Sequence, residues 1–82
     1  MYSVYILQCD DGSLYTGITN DLKRRIEQHQ KGVGGHYTRS KTGIRLVYSE
    51  DALGRGAALK REAEIKSWTR QKKLNLVPFG RT

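Results

Sequence analysis

Between Val4 and His29 the chain sets two tyrosines, an arginine and a histidine at measured intervals: Tyr15 follows Tyr5 by ten residues, Arg25 follows Tyr15 by ten, and His29 follows Arg25 by one helical turn. Phenol hydroxyls can hold or deprotonate a water, a guanidinium fork can clamp a phosphoryl group, and an imidazole titrates near neutrality. Together these groups could build a phosphodiester site, provided that local structure converges them.

A hairpin and one helix suffice to do so. Tyr2 to Gln8 and Leu14 to Thr19 are rich in aromatic and β-branched residues and flank the turn signal Asp10-Asp11-Gly12, which reads as a β-hairpin. A three-residue loop with Gly12 in the left-handed conformation pairs Leu7 with Tyr15 and Tyr5 with Gly17, and puts both tyrosines on one sheet face. A two-residue Asp11-Gly12 turn would slip the register by one and send them to opposite faces. The expectation here is the three-residue loop, because Gly12 falls where positive φ is needed and because a shared site requires it.

Thr19-Asn20-Asp21 supplies capping side chains, Leu22 to Lys31 follows with strong helix formers, and Gly32 ends the run. At about 100° per residue Leu22, Ile26 and His29 share one side, Arg25 borders them and faces inward, and Arg24 points to water. The stretch from Gly32 to Gly43 is a loop by its glycine content. Its Arg39 and Lys41 either touch phosphates or belong to a connection that happens to be basic.

Ile44 to Glu50 reads as a third strand, and Ala57 to Trp68 as a second helix that continues, with a break, through Lys73 to Val77 until Pro78 stops it. The expected fold is therefore α+β, a small three-stranded antiparallel sheet made of the N-terminal hairpin and a third strand, flanked by helices. One domain over residues 1–77 and a short tail over residues 78–82 account for the chain. Ala58, Leu59, Ile65 and Thr69 form the apolar side of the second helix, and Glu62 projects from the middle of it while Glu64 points outward. An inward carboxylate must be paired or bound to a cation, since a lone buried charge is costly. Position alone leaves two partners open, a salt bridge to Arg25 or a divalent metal. Trp68 and Tyr48 read as core residues rather than platforms for stacked bases.

Composition narrows the partner. Eighty-two residues with 15 Lys and Arg against 8 Asp and Glu carry a formal charge of +7, which favours a polyanion such as nucleic acid. The cations are spread through the expected elements rather than gathered in a tail. No apolar run approaches the ~18 residues of a membrane span, and the N-terminus lacks the features of a signal peptide. A soluble cytoplasmic protein is expected, with no membrane partner. The single cysteine, Cys9, excludes an internal disulfide and reads as a reduced bystander.

Ser3-Val4-Tyr5 and Tyr15-Thr16-Gly17, then Gly17-Ile18-Thr19 followed by Leu22, Arg25 and His29, and finally Ala58-Leu59-Lys60-Arg61-Glu62, resemble in joint order and spacing the GIY-YIG nuclease superfamily, most closely its small stand-alone YhbQ-like members. The first tripeptide lacks the family's Gly and the second has Thr for Ile. The resemblance covers about Met1 to Val77. It implies a nuclease that hydrolyses DNA rather than RNA, with little sequence specificity of its own, in which Tyr5 activates or orients the water and Tyr15 helps hold water or phosphate. It further implies that Arg25 stabilises the phosphate, that His29 hydrogen-bonds the phosphate or a tyrosine or shuttles a proton, and that Glu62 binds one Mg²⁺ or Mn²⁺. His29 has a competing reading as a packed histidine at a helix end. Gly17 would leave room for the scissile phosphate, or is a strand glycine set by packing. Asn75 lies where the family often places an asparagine, and its flanks also suit a helix end. Family members with defined targets commonly carry a separate recognition domain; here substrate choice is expected from the basic surface, the glycine-rich loop or a partner protein. The alternative is a non-catalytic nucleic-acid-binding module on the same fold, with Lys23, Arg24, Arg39, Lys41 and Lys72 on phosphates.

Overall fold

The structure, a computed structural model, describes residues 1–31 and 43–76. Arg39, Lys41, Pro78 and the expected boundary at residue 77 lie outside the described residues.

Strand β1 (Tyr2–Gln8) and strand β2 (Leu14–Thr19) form the antiparallel hairpin. Its loop is closed by the Cys9 N–H donating to the Ser13 carbonyl at 3.0 Å and the Gly12 N–H donating to the Cys9 carbonyl at 2.9 Å. Gly12 has φ 84°, a conformation that glycine adopts without a Cβ penalty. The resulting register sets Leu7 opposite Tyr15 and Tyr5 opposite Gly17, as the three-residue loop requires.

Strand β3 (Arg45–Ala52) adds to the other edge of β1, giving the order β2-β1-β3. It starts one residue later and runs two residues further than its apolar run indicates. Ile6 pairs with Tyr48 and Leu7 with Leu46, so Val47 is the extra residue of a bulge. The bulge breaks the alternation of faces, and Val47 and Tyr48 consequently pack on the same side.

Helices cover both faces of the sheet. Helix α1 (Leu22–Gln30) lays Leu22 and Ile26 on the face formed by Tyr5, Leu7, Cys9 and Ile44. Helix α2 (Arg55–Lys66) sets Ala58 and Ile65 against Val4, Ile6 and Val47 on the opposite face. The central strand is thus covered twice, which is why Val4 through Leu7 are all buried and form a continuous apolar run.

Asp21 caps α1, its side chain accepting from the Arg24 N–H at 3.2 Å. Helix α2 begins two residues before Ala57, behind Gly54, and ends at Lys66 rather than Trp68. The expected break falls at Ser67 to Thr69, where Thr69 caps helix α3 (Arg70–Leu74) by accepting from the Lys72 N–H. Two members of the expected apolar side therefore fall away from it. Thr69 belongs to the cap of the next helix, and Leu59 is 39% exposed, because only one narrow stripe of α2, through Ala58 and Ile65, meets the sheet. Trp68 is half-buried against that core, with the Arg61 guanidinium 5.1 Å and Lys72 Nζ 4.5 Å from its ring centre. No helix among the described residues is long and apolar enough to cross a membrane.

Candidate active site

The hairpin register brings Tyr5 and Tyr15 onto the face covered by α1, with their rings 6.4 Å apart between centres. Gly17 makes this possible. A methyl group on its Cα would lie 2.6 Å from the Tyr5 hydroxyl oxygen, 2.8 Å from Tyr5 Cζ and 3.1 Å from Tyr15 Cε2. The space above Gly17 is thus filled by the two tyrosines, and the room expected there for a phosphate is taken by Tyr5 itself.

His29, in the last turn of α1, is buried and stands 5.9 Å from the Tyr5 ring and 5.2 Å from the Tyr15 ring between centres. Its Nε2 is 3.0 Å from the Tyr5 hydroxyl. Arg25, one turn earlier and half-buried, lies near enough for its side chain to favour the ionised form of that hydroxyl. The Tyr5–His29 bond runs from the phenol O–H to Nε2 in the tautomer that carries its hydrogen on Nδ1, and from Nε2–H to the phenol oxygen in the other.

Burial, and then the Arg25 charge, hold His29 below the ordinary histidine value of 6.5, so it stays neutral. Burial pushes the Tyr5 phenol above its ordinary 10.0; the Arg25 hydrogen bond opposes this, while the nearby Tyr15 and Glu62 add to it. Desolvation outweighs the lowering by Arg25.

Glu62 stands on α2, and its charge is the smallest of the influences that raise Tyr5. Its partner is Lys66, one turn along, with Nζ 3.3 Å from Oε2, rather than Arg25. The Glu62 side chain is 19% exposed. Among the described residues no group of three or more His, Cys, Asp and Glu side chains converges to enclose a cation. One hard carboxylate oxygen with solvent access suits a Mg²⁺-type ion, which keeps several waters and takes phosphate oxygens as further ligands.

Lys23 and Arg24 are exposed on α1, and Lys72 is exposed beside Trp68. Asn75 caps the end of α3 with an exposed side chain, in keeping with its helix-end reading. Gln28 was not singled out by sequence, yet its Oε1 accepts from Arg25 Nη1 at 3.1 Å and so orients the guanidinium. The signal was available in the i, i+3 spacing of the two residues on α1.

Residues 1–75 match the GIY-YIG catalytic domain. A UPF0213 protein of Staphylococcus aureus is 51% identical over 74 residues, covering 90% of each chain, and so is the UPF0213 protein of Staphylococcus aureus strain N315. The solution NMR structure of a UPF0213 protein from Bacillus halodurans is 44% identical and has a TM-score of 0.59, the match covering 93% of this chain and 82% of that one.

Proposed function

The chain belongs to the GIY-YIG catalytic-domain family, within the UPF0213 group, and on that footing we propose that it is a divalent-metal-dependent nuclease acting on DNA in the cytoplasm with low intrinsic sequence specificity. The observation that carries this reading is the Tyr5 hydroxyl held between a neutral His29 and Arg25.

In this reading a water takes its place at the Tyr5 oxygen. As that oxygen withdraws the water's proton, Tyr5 passes its own to His29 Nε2, so no free phenolate is required. A neutral acceptor is needed for this relay, and burial keeps His29 in that state. Arg25 turns its donors to the phosphoryl oxygens and offsets the charge that develops there. Tyr15 packs beside the pair and offers a second hydroxyl to water or phosphate. Glu62 would hold Mg²⁺ or Mn²⁺, which supplies charge stabilisation at the phosphate. Lys23, Arg24, Lys72 and, from the loop, Arg39 and Lys41 serve as phosphate contacts along the strand, with Asn75 a further contact and a protein partner a further source of specificity.

The burial of Tyr5, 1% exposed, and the upward push on its phenol favour one other reading, a module that binds nucleic acid without chemistry. Incubation of the protein with single-stranded, duplex and branched DNA and Mn²⁺ separates the two. The nuclease reading expects products from wild type and a loss of at least about a hundredfold in Tyr5→Phe, Arg25→Ala and Glu62→Ala, the usual weight of an acid–base or electrostatic group. Equal activity in all three variants would mark the products as contamination.

A further inference from the structure

Arg25 and Gln28 stand three residues apart on α1, both half-buried, with Arg25 Nη1 donating to Gln28 Oε1 at 3.1 Å. Both line a hollow beside Ile18 and Asp21, while the Arg25 charge is felt at Tyr5 and at His29. The guanidinium thus stands where open space meets the tyrosine cluster. We propose that Gln28 is a positioning residue: it holds the Arg25 guanidinium ready for a nucleic-acid phosphate, and does so with an uncharged acceptor that leaves the positive charge to that phosphate. The inference rests on the reading that Arg25 engages the scissile phosphate.

An arginine side chain is long and loses rotamer freedom when it is ordered. Ordering that occurs only as the phosphate arrives weakens binding, whereas a guanidinium already fixed avoids that loss. The bond to Gln28 fixes the fork in advance and uses a single N–H of a group that carries several.

The chemistry of the acceptor matters as much as its place. A carboxylate at position 28 would bond the guanidinium about twice as strongly as a neutral group does, and would serve the helix at least as well. It would also offset the charge on which a phosphate depends. Glutamine gives direction and adds no charge. Two carboxylates of the neighbourhood are engaged elsewhere: Asp21 Oδ1 accepts from the Arg24 backbone N–H at 3.2 Å, and Glu62 pairs with Lys66 at 3.3 Å. An undiminished Arg25 charge is, besides, one of the two influences that keep His29 neutral.

The test uses Gln28→Met, which keeps the length and helix propensity of the side chain and removes the amide oxygen, and Gln28→Glu, which keeps an oxygen and adds charge. The readouts are the NMR signals of the Arg25 side-chain N–H groups and, by fluorescence anisotropy in chelator at low salt, the affinity for a short single-stranded deoxythymidine oligomer. In Gln28→Met the Arg25 Nη signals are expected to merge as the guanidinium turns freely, and the affinity to fall about two- to tenfold, the worth of ordering one long side chain. In Gln28→Glu the signals are expected to stay separate while the affinity falls at least as far. With Arg25→Ala already present, Gln28→Met is expected to change nothing further, because no guanidinium remains to be held; a merely structural role would lower the affinity equally in both backgrounds. Arg25 signals already merged in wild type, affinity indifferent to Arg25→Ala, wild-type affinity in Gln28→Glu, or an equal effect of Gln28→Met in both backgrounds would overturn the proposal. A loss that depends on Arg25 in a protein that yields no products with Mn²⁺ would uphold the positioning role and refute the nuclease reading alone. Affinity and cleavage both unchanged in Gln28→Met would refute the positioning role and leave the nuclease reading standing.

Discussion

The Tyr5 hydroxyl lies over the Cα of Gly17, so close that a methyl group there would stand 2.6 Å from the phenolic oxygen. The two residues are cross-strand partners. One constrains the other: Tyr5 can reach His29 only because Gly17 contributes no side chain.

Gly17→Ala is therefore expected to displace the Tyr5 ring and to break its 3.0 Å bond to His29. Overpacking of this kind costs about 1–3 kcal/mol. The cost would appear as a lower denaturation midpoint, and the displacement as altered Tyr5 and His29 signals in NMR spectra. Unchanged spectra would show that the tyrosine can yield without leaving the imidazole.

The pH dependence has a definite sign. His29 is held below 6.5, so the acid limb of any cleavage profile is expected to have its midpoint below 6.5, where the imidazole gains a proton and can no longer accept one. The same depression makes a contribution to stability that is present above 6.5 and lost as pH falls through the lowered value. Tyr5 is raised above 10.0, and its contribution is present below 10.0 and lost as pH rises through the raised value. A pH titration of His29 by NMR checks the first statement; a midpoint at or above 6.5 would contradict the neutral-acceptor role.

Lys66 competes for the carboxylate that a cation would use. Lys66→Gln is expected to tighten Mn²⁺ binding about fivefold, since removing a unit charge at ~4 Å in water is worth ~1 kcal/mol. Its cost to the fold should be small, because the pair is an i, i+4 contact with Lys66 54% exposed. Calorimetric titration with MnCl₂ measures the change. Identical affinities in the two proteins would place the cation away from Glu62.

Thr16 sits in the middle of β2, buried, and its hydroxyl has no hydrogen-bond partner among the described residues. Thr16→Val keeps the shape and removes a polar atom whose burial costs about 1–3 kcal/mol. Each kcal/mol gained should raise the melting temperature by roughly 4–8 °C in a domain of this size. Differential scanning calorimetry gives the answer, and a lower melting temperature would mean that the hydroxyl serves the fold.

Local rules were enough to anticipate the hairpin and the inward side of α1. The three-residue turn with Gly12 at positive φ set the register, and the helical period placed His29 one turn beyond Arg25. Longer-range facts were not legible. The bulge at Val47 arises from fitting β3 to a strand distant in sequence, and nothing in its apolar run marks the extra residue. The partner of Glu62 was open between Arg25 and a metal. The ion pair it makes, with Lys66 one turn along α2 rather than with Arg25, was by contrast available in the i, i+4 spacing. Gly17 was open between room for a phosphate and a glycine set by packing, and the occupant, Tyr5, emerges only when ring positions are known.

Glu62 stands on α2 between Ala58 and Ile65, the two buried side chains by which that helix completes the core. The act that finishes the hydrophobic interior is thus the act that delivers the carboxylate to the Tyr5 cluster. Completion of the interior and placement of Glu62 are one event.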